Sequence, residues 1–236
     1  MSLSLGSTTI GSLYLGSTKV GSAYLGNVKV YESAIVLPAY TIRLKFTDGV
    51  TPTFSKGTAV QVSASPNVWD LTYENTSWTS LLYGQTQLLS VLGANTSGVL
   101  DMATMFFSCS NLTSVHLFDT SSVTTTASMF RNCTNLTSVP LFNTGNVTTM
   151  GYMFDSCSEL KTVPLLQTDA CTNMDRMFYG CRKVESGALA LYQQASTQTT
   201  PPSSHSKTFT NCGVYTESGA TELTQIPADW GGTMSA

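Results

Sequence analysis

Charge is scarce in this chain. Only 11% of its 236 residues are Asp, Glu, Lys or Arg, and the formal net charge is -3. No basic stripe exists, so nucleic acid, whose binders cluster Lys and Arg, is excluded as a partner. Long apolar runs are missing too: none approaches the roughly 20 residues of a membrane span. The first residues, "MSLSLGSTTIGSLYLGSTKV", lack the basic start and continuous apolar stretch of a secretory signal. Histidine occurs twice, at His116 and His205, and no pair of cysteines has C-x-x-C spacing, so no zinc site is expected. A glycine-rich phosphate loop is also absent. Ser114, His116 and Asp119 lie close in sequence, but strand neighbours of that spacing imply no activated triad. Asp101, Asp119, Asp155 and Asp175 fit turns or helix starts better than an acid–base pair. No catalytic residue, metal or cofactor is expected, and the chain is not expected to be an enzyme.

What is present is repetition. Met105-Phe106, Met129-Phe130, Met153-Phe154 and Met177-Phe178 recur every 24 residues, as do Cys109, Cys133, Cys157 and Cys181. Leu112, Leu136, Leu160 and Val184 form a further column, then Val115, Val139 and Val163, then Leu117, Leu141, Leu165 and Leu189. Within each copy, Met150, Met153, Phe154 and Cys157 have the spacing of a short amphipathic helix, with Thr124, Thr148 and Thr172 at the N-cap register. Leu160, Val163 and Leu165 then read L-x-x-V-x-L, ending in strand-like alternation. Each copy is expected to be one short strand and two turns of helix, stable only when stacked. Leu141 and Met153 are expected in the core. Five of the six cysteines share one apolar column, where a small buried free thiol is the simplest reading; Cys171 stands in for the valine of Val123 and Val147. The Asn-x-Ser/Thr sequons at Asn75, Asn95, Asn111, Asn135 and Asn146 are by-products of the repeat.

The motif resembles the leucine-rich repeats, read here as Leu136-x-x-Val139-x-Leu141-x-x-Thr144, with Thr120, Thr144 and Thr168 where other subtypes carry a buried asparagine. With the phrase N-V-T-x-M-x-x-M-F-x-x-C it looks like the BspA-type subfamily. The expected fold class is α/β: a leucine-rich-repeat solenoid of 24-residue repeats, short parallel strands plus short helices, with a small N-terminal all-β segment. Residues 78–236 are assigned to the solenoid. Trp78 to Leu100 is its degenerate first turn, "YQQASTQTTPPSSH" a surface loop, and "TELTQIPADWGG" the closing turn. Residues 37–77 are expected to form a β-hairpin cap, one strand through Tyr40, Ile42, Leu44 and Phe46 and the next through Ala59, Val60 and Val62, packed on Trp69 and Trp78.

Residues 1–36 carry their own ten-residue period, "LGSTTIGSLY", "LGSTKVGSAY" and "LGNVKVYESA". They read as very short strands joined by tight turns, too little to fold alone. These decamers look like N-terminal segments of bacteriophage structural proteins, and the module from "IRLKF" through "SGALALYQQASTQTTPP" looks like BspA-type proteins of gut phages and prophages. The resemblance implies a non-enzymatic virion display protein, assembled in the host cytoplasm without a signal peptide. Leu5, Ile10, Tyr14, Leu15, Val20, Tyr24, Leu25 and Val30 would anchor it to capsid or tail proteins. The concave residues Ser114, His116, Phe118, Ser138, Pro140, Phe142, Thr162, Pro164 and Leu166 would meet a host protein or glycan. Whether Phe118, Phe142 and Leu166 point outward or pack inward stays open, and so does self-association. The alternative is a bacterial surface adhesin or protein–protein interaction module of the BspA type.

Overall fold

The computed structural model describes residues 37–233 in full and, before them, the backbone of four short strands. The chain divides into two units, 1–36 and 37–236. In the first, β1 (Tyr14–Leu15) pairs antiparallel with β2 (Thr18–Lys19), and β3 (Ser22–Leu25) with β4 (Val28–Glu32). Of the expected anchor residues, Tyr14, Leu15, Tyr24, Leu25 and Val30 fall on these strands, with their side chains outside the described set. Leu5, Ile10 and Val20 lie outside the described residues altogether.

The second unit begins with a sheet. Its strands are β5 (Thr41–Phe46), β6 (Thr58–Ala64), β7 (Asn67–Thr72), β8 (Leu88–Asn95) and β9 (Ser114–Val115), in the order β6-β7-β5-β8-β9. All neighbours are antiparallel except β8 and β9, which are parallel. The expected hairpin between Tyr40–Phe46 and Ala59–Val62 does not form, because β7 lies between those two strands. The reason is burial. Ile42, Leu44 and Phe46 are fully buried, so β5 needs a partner on each edge, and β7 and β8 supply them. An Arg43–Asp70 fork, with both bonds at 2.7 Å, fixes the β5–β7 register.

The helical reading of the repeats is overturned. Among the described residues the only α-helices are α1 (Ala188–Ser196) and α2 (Glu217–Leu223), both outside the Met-Phe-x-x-Cys segments. The structure is mostly β, built on a five-stranded mixed sheet. The α/β leucine-rich-repeat solenoid of short strands and short helices is therefore corrected. Where helices were expected, the chain makes successive turns. The Met105, Phe107 and Cys109 N–H groups each donate three residues back, to Met102, Thr104 and Phe106. The intervening N–H groups of Thr104, Phe106 and Ser108 donate to carbonyls of the next copy, at Ala127, Met129 and Arg131. An α-helix needs every N–H to reach four residues back, and this alternation forbids it. Left-handed residues interrupt it as well. Thr104, Ser128, Tyr152 and Arg176 have positive φ, and so do Ser108, Asn132 and Ser156 four residues after the first three. Thr124, Thr148 and Thr172 cap nothing: the N–H and hydroxyl of each bond the carbonyl one copy earlier, at Leu100, Thr124 and Thr148.

Apolar side chains hold these turns together. Phe106, Phe130, Phe154, Phe178 and Phe209 are fully buried and stack face over face, with centroids 5.1–6.0 Å apart. Each contributes about 1.5–3 kcal/mol of burial, and offset stacking adds to that. Behind them Thr120 and Thr144 are buried and donate at 2.8 Å to the carbonyls of Asn143 and Gln167. At the far end α1 takes up Tyr192–Ser196, the first part of the expected surface loop, because Leu191 and Ala195 pack into the core. Its N-cap, Gly187, lacks a side chain to cap with, and Glu222 of α2 accepts from the Gly187 and Leu189 N–H groups instead. No helix among the described residues is long and apolar enough to cross a membrane.

All six cysteines are free and buried. Cys109, Cys133, Cys157 and Cys181 direct Sγ at the carbonyls of Leu82, Phe106, Phe130 and Phe154, at 3.0–3.1 Å. Burial pushes the Cys109 thiol up to about 12, against a small opposing contribution from a backbone hydrogen bond at Gln85. A thiol so placed stays neutral at pH 8.5, and the thiolate is the reactive form. The native protein is therefore expected to leave all six unlabelled by a disulfide reagent at pH 8.5, and the denaturant-unfolded protein to yield six equivalents. Fast labelling of the native state would contradict the placement of this column.

Candidate functional site

The surface that the repeats leave open is decided just after Val115. β9 lasts two residues, and the chain then leaves strand geometry. Buried positions consequently run Val115, Phe118, Thr120 rather than alternating. In the next copies Pro140 and Pro164 take the place of His116, whose N–H donates to the Val91 carbonyl at 3.0 Å. Proline has no N–H to donate, so pairing is not extended there.

The result reverses one column and decides another. Leu117, Leu141 and Leu165, expected inside, are 54%, 63% and 51% exposed. Phe118, Phe142 and Leu166, for which outward and inward placements were both open, are buried. Phe142 shows why: its ring lies 4.9 Å from Phe118 and 6.2 Å from Phe130, bridging the outer pair to the central aromatic stack. Of the other expected face residues, Ser114, His116, Ser138 and Thr162 are exposed, while Pro140 and Pro164 are half-buried.

What comes together is a leucine stripe flanked by hydroxyls. Ala94, Leu117, Phe118, Asp119, Thr120, Leu141 and Asn143 line a shallow groove of about 460 Å³. On its rim the hydroxyl and backbone N–H of Ser121 hold the Asp119 carboxyl below its ordinary value, outweighing slight burial. The groove thus offers apolar side chains, a fixed negative charge and amide or hydroxyl groups. That chemistry suits contact with a protein loop or a sugar ring.

A second strip was missed by sequence reasoning. The rings of Tyr83 and Phe107 stack 4.8 Å apart. The Arg131 guanidinium lies 5.7 Å from Phe107 and 5.0 Å from Tyr152, and Arg176 lies 5.8 Å from Tyr152 and 5.4 Å from Tyr179. Asp155, itself buried, pairs with Arg131 at 3.1 Å. The signal was the 24-residue column Tyr83, Phe107, Arg131, Asp155 and Tyr179, which mixes rings with charges, together with Tyr152 and Arg176 in a second column three residues earlier. These groups largely satisfy one another, so the strip reads first as packing.

Neither histidine sits in a catalytic arrangement. His116 is exposed, and His205 stacks on Trp230 at 4.2 Å beside Asp229. Among the described residues no three His, Cys, Asp or Glu side chains gather as metal ligands.

In comparisons with known proteins, residues 73–200, over half of the chain, match the family described as "Mycoplasma protein of unknown function, DUF285". That match is consistent with a BspA-type protein. No curated protein and no solved structure matches the chain.

Proposed function

The chain belongs to that family, and from this premise we propose that it is a non-enzymatic display protein of a phage particle. Residues 1–36 anchor it to capsid or tail proteins, and the leucine–hydroxyl face meets a host protein or glycan. The observation that carries the display reading is the exposure of Leu117, Leu141 and Leu165 in one repeated column. Aligned apolar side chains of this size at the surface mark interaction sites more often than chance. The phage setting draws support from the resemblance of the decamers to segments of virion proteins. The family match also favours a second reading, a BspA-type adhesin or interaction module using the same face without a particle.

The test is binding of the full-length chain to intact host cells. Leu117→Ser combined with Leu141→Ser is expected to reduce binding about tenfold or more, since a few central apolar residues dominate most interfaces. Melting behaviour should be unchanged, because both side chains are exposed. Undiminished binding would remove this face from consideration. Recovery of the chain in purified particles, lost on deletion of residues 1–36, separates the virion reading from the adhesin reading.

A further inference from the structure

β6 ends the sheet, with β7 on one side and no strand among the described residues on the other. Such an edge presents unpaired backbone N–H and C=O groups, and proteins normally blunt it with Lys, Pro or shortness. This edge is seven residues long, "TAVQVSA", with no charge and no proline. The opposite edge, β9, has two residues. Val60 and Val62 of β6 are 61% and 48% exposed, among the most open aliphatic side chains of the unit. One blunting device exists, a register irregularity between Gln61 and Ser63 opposite β7.

The sequence of the edge is close to a palindrome. Reversed about Gln61, Thr58-Ala59-Val60 lies over Ala64-Ser63-Val62. An antiparallel two-fold contact sets residue i against residue j and j against i. Val60 would then face Val62 of the other copy on both sides of the axis, and Gln61 would face Gln61. Cross-strand pairs of β-branched residues stabilise such contacts, whereas like charges directly opposite oppose them. We propose that β6 pairs antiparallel with β6 of a second copy of this chain, continuing the sheet across a two-fold axis at Gln61. The interface is independent of the display reading above and uses none of its residues.

Sedimentation of the full-length chain at micromolar concentration is expected to show a monomer–dimer equilibrium. Val60→Glu and Val62→Lys, prepared separately, should each weaken association about tenfold or more, because each places an unpaired charge in the contact. Mixing the two should restore a heterodimer, since the new carboxylate then faces the new ammonium. Mere misfolding could not produce that rescue. Gln61→Cys supplies a second readout: mild oxidation should link two copies through position 61, where the facing Cα spacing suits a disulfide, while the native cysteines stay buried. A wild-type chain that stays monomeric, or a dimer indifferent to Val60→Glu and Val62→Lys, overturns the proposal. A dimer abolished by removing residues 1–36 but insensitive to both β6 substitutions would assign self-association to the N-terminal unit instead.

Discussion

Phe142→Ala is expected to cost about 3–5 kcal/mol of stability, the usual loss for a truncated core phenylalanine. Leu141→Ala, one residue earlier, should stay within ~0.5 kcal/mol, as exposed positions do. Phe142 is 2% exposed and Leu141 is 63% exposed. Removing the Phe142 ring takes away contacts with Phe118 and Phe130 together, and the stacked turns above and below cannot collapse far into the hole. For a domain of this size the loss corresponds to a melting shift of roughly 6–20 °C. Thermal melts of the two variants side by side read the register directly. Equal losses, or a larger loss at Leu141, would restore the alternating pattern and reverse the assignment of the surface.

Trp230→Ala should be about as damaging, at 3–5 kcal/mol. Trp230 ends the aromatic column. Its ring lies 6.5 Å from Phe209 and 4.2 Å from His205, and meets Tyr192 edge-on at 5.4 Å. Its carbonyl accepts the Phe209 N–H at 2.8 Å, taking the part that the next copy plays for each earlier phenylalanine. The variant removes the ring that closes the apolar end of the last turn, while the backbone carbonyl of residue 230 remains. Denaturant unfolding followed by far-UV circular dichroism measures the loss, with Val214→Ala, 40% exposed, as the control expected to change little. A Trp230→Ala midpoint matching that control would show that the column is closed by other residues.

The 24-residue period and the buried Met, Phe and Cys columns were legible because burial repeats faithfully: Phe106, Phe130, Phe154 and Phe178 are all fully enclosed. The conformation between them was not. An i, i+3, i+4, i+7 pattern is what a helix requires, but it is also satisfied by linked turns, since both return a side chain to the same face after three or four residues. The distinguishing signal was the column Gly84, Ser108, Asn132, Ser156 and Gly180, every member of which has positive φ. Glycine and asparagine recurring at one register are the residues that tolerate that conformation. The exposure of the Leu117, Leu141 and Leu165 column was hidden for a related reason. Alternation was carried past Val115, although Pro140 and Pro164 already showed that the ladder could not continue there. β7 was overlooked because Asn67–Thr72 has only three strongly apolar residues, Val68, Trp69 and Leu71, and its pairing depends on β5, far away in sequence.

The hidden thiols set the manner in which this protein would age. While it is folded, air and peroxide find no thiolate to attack. One global unfolding event releases all six sulfurs at once, each then with the ordinary acidity of a cysteine. Disulfides between chains are then expected to form before the stack is rebuilt. Shelf life in an aerobic buffer is therefore governed by the rate of first opening rather than by the equilibrium between folded and unfolded forms. A scan that looks irreversible in air should become reversible when a reductant is present.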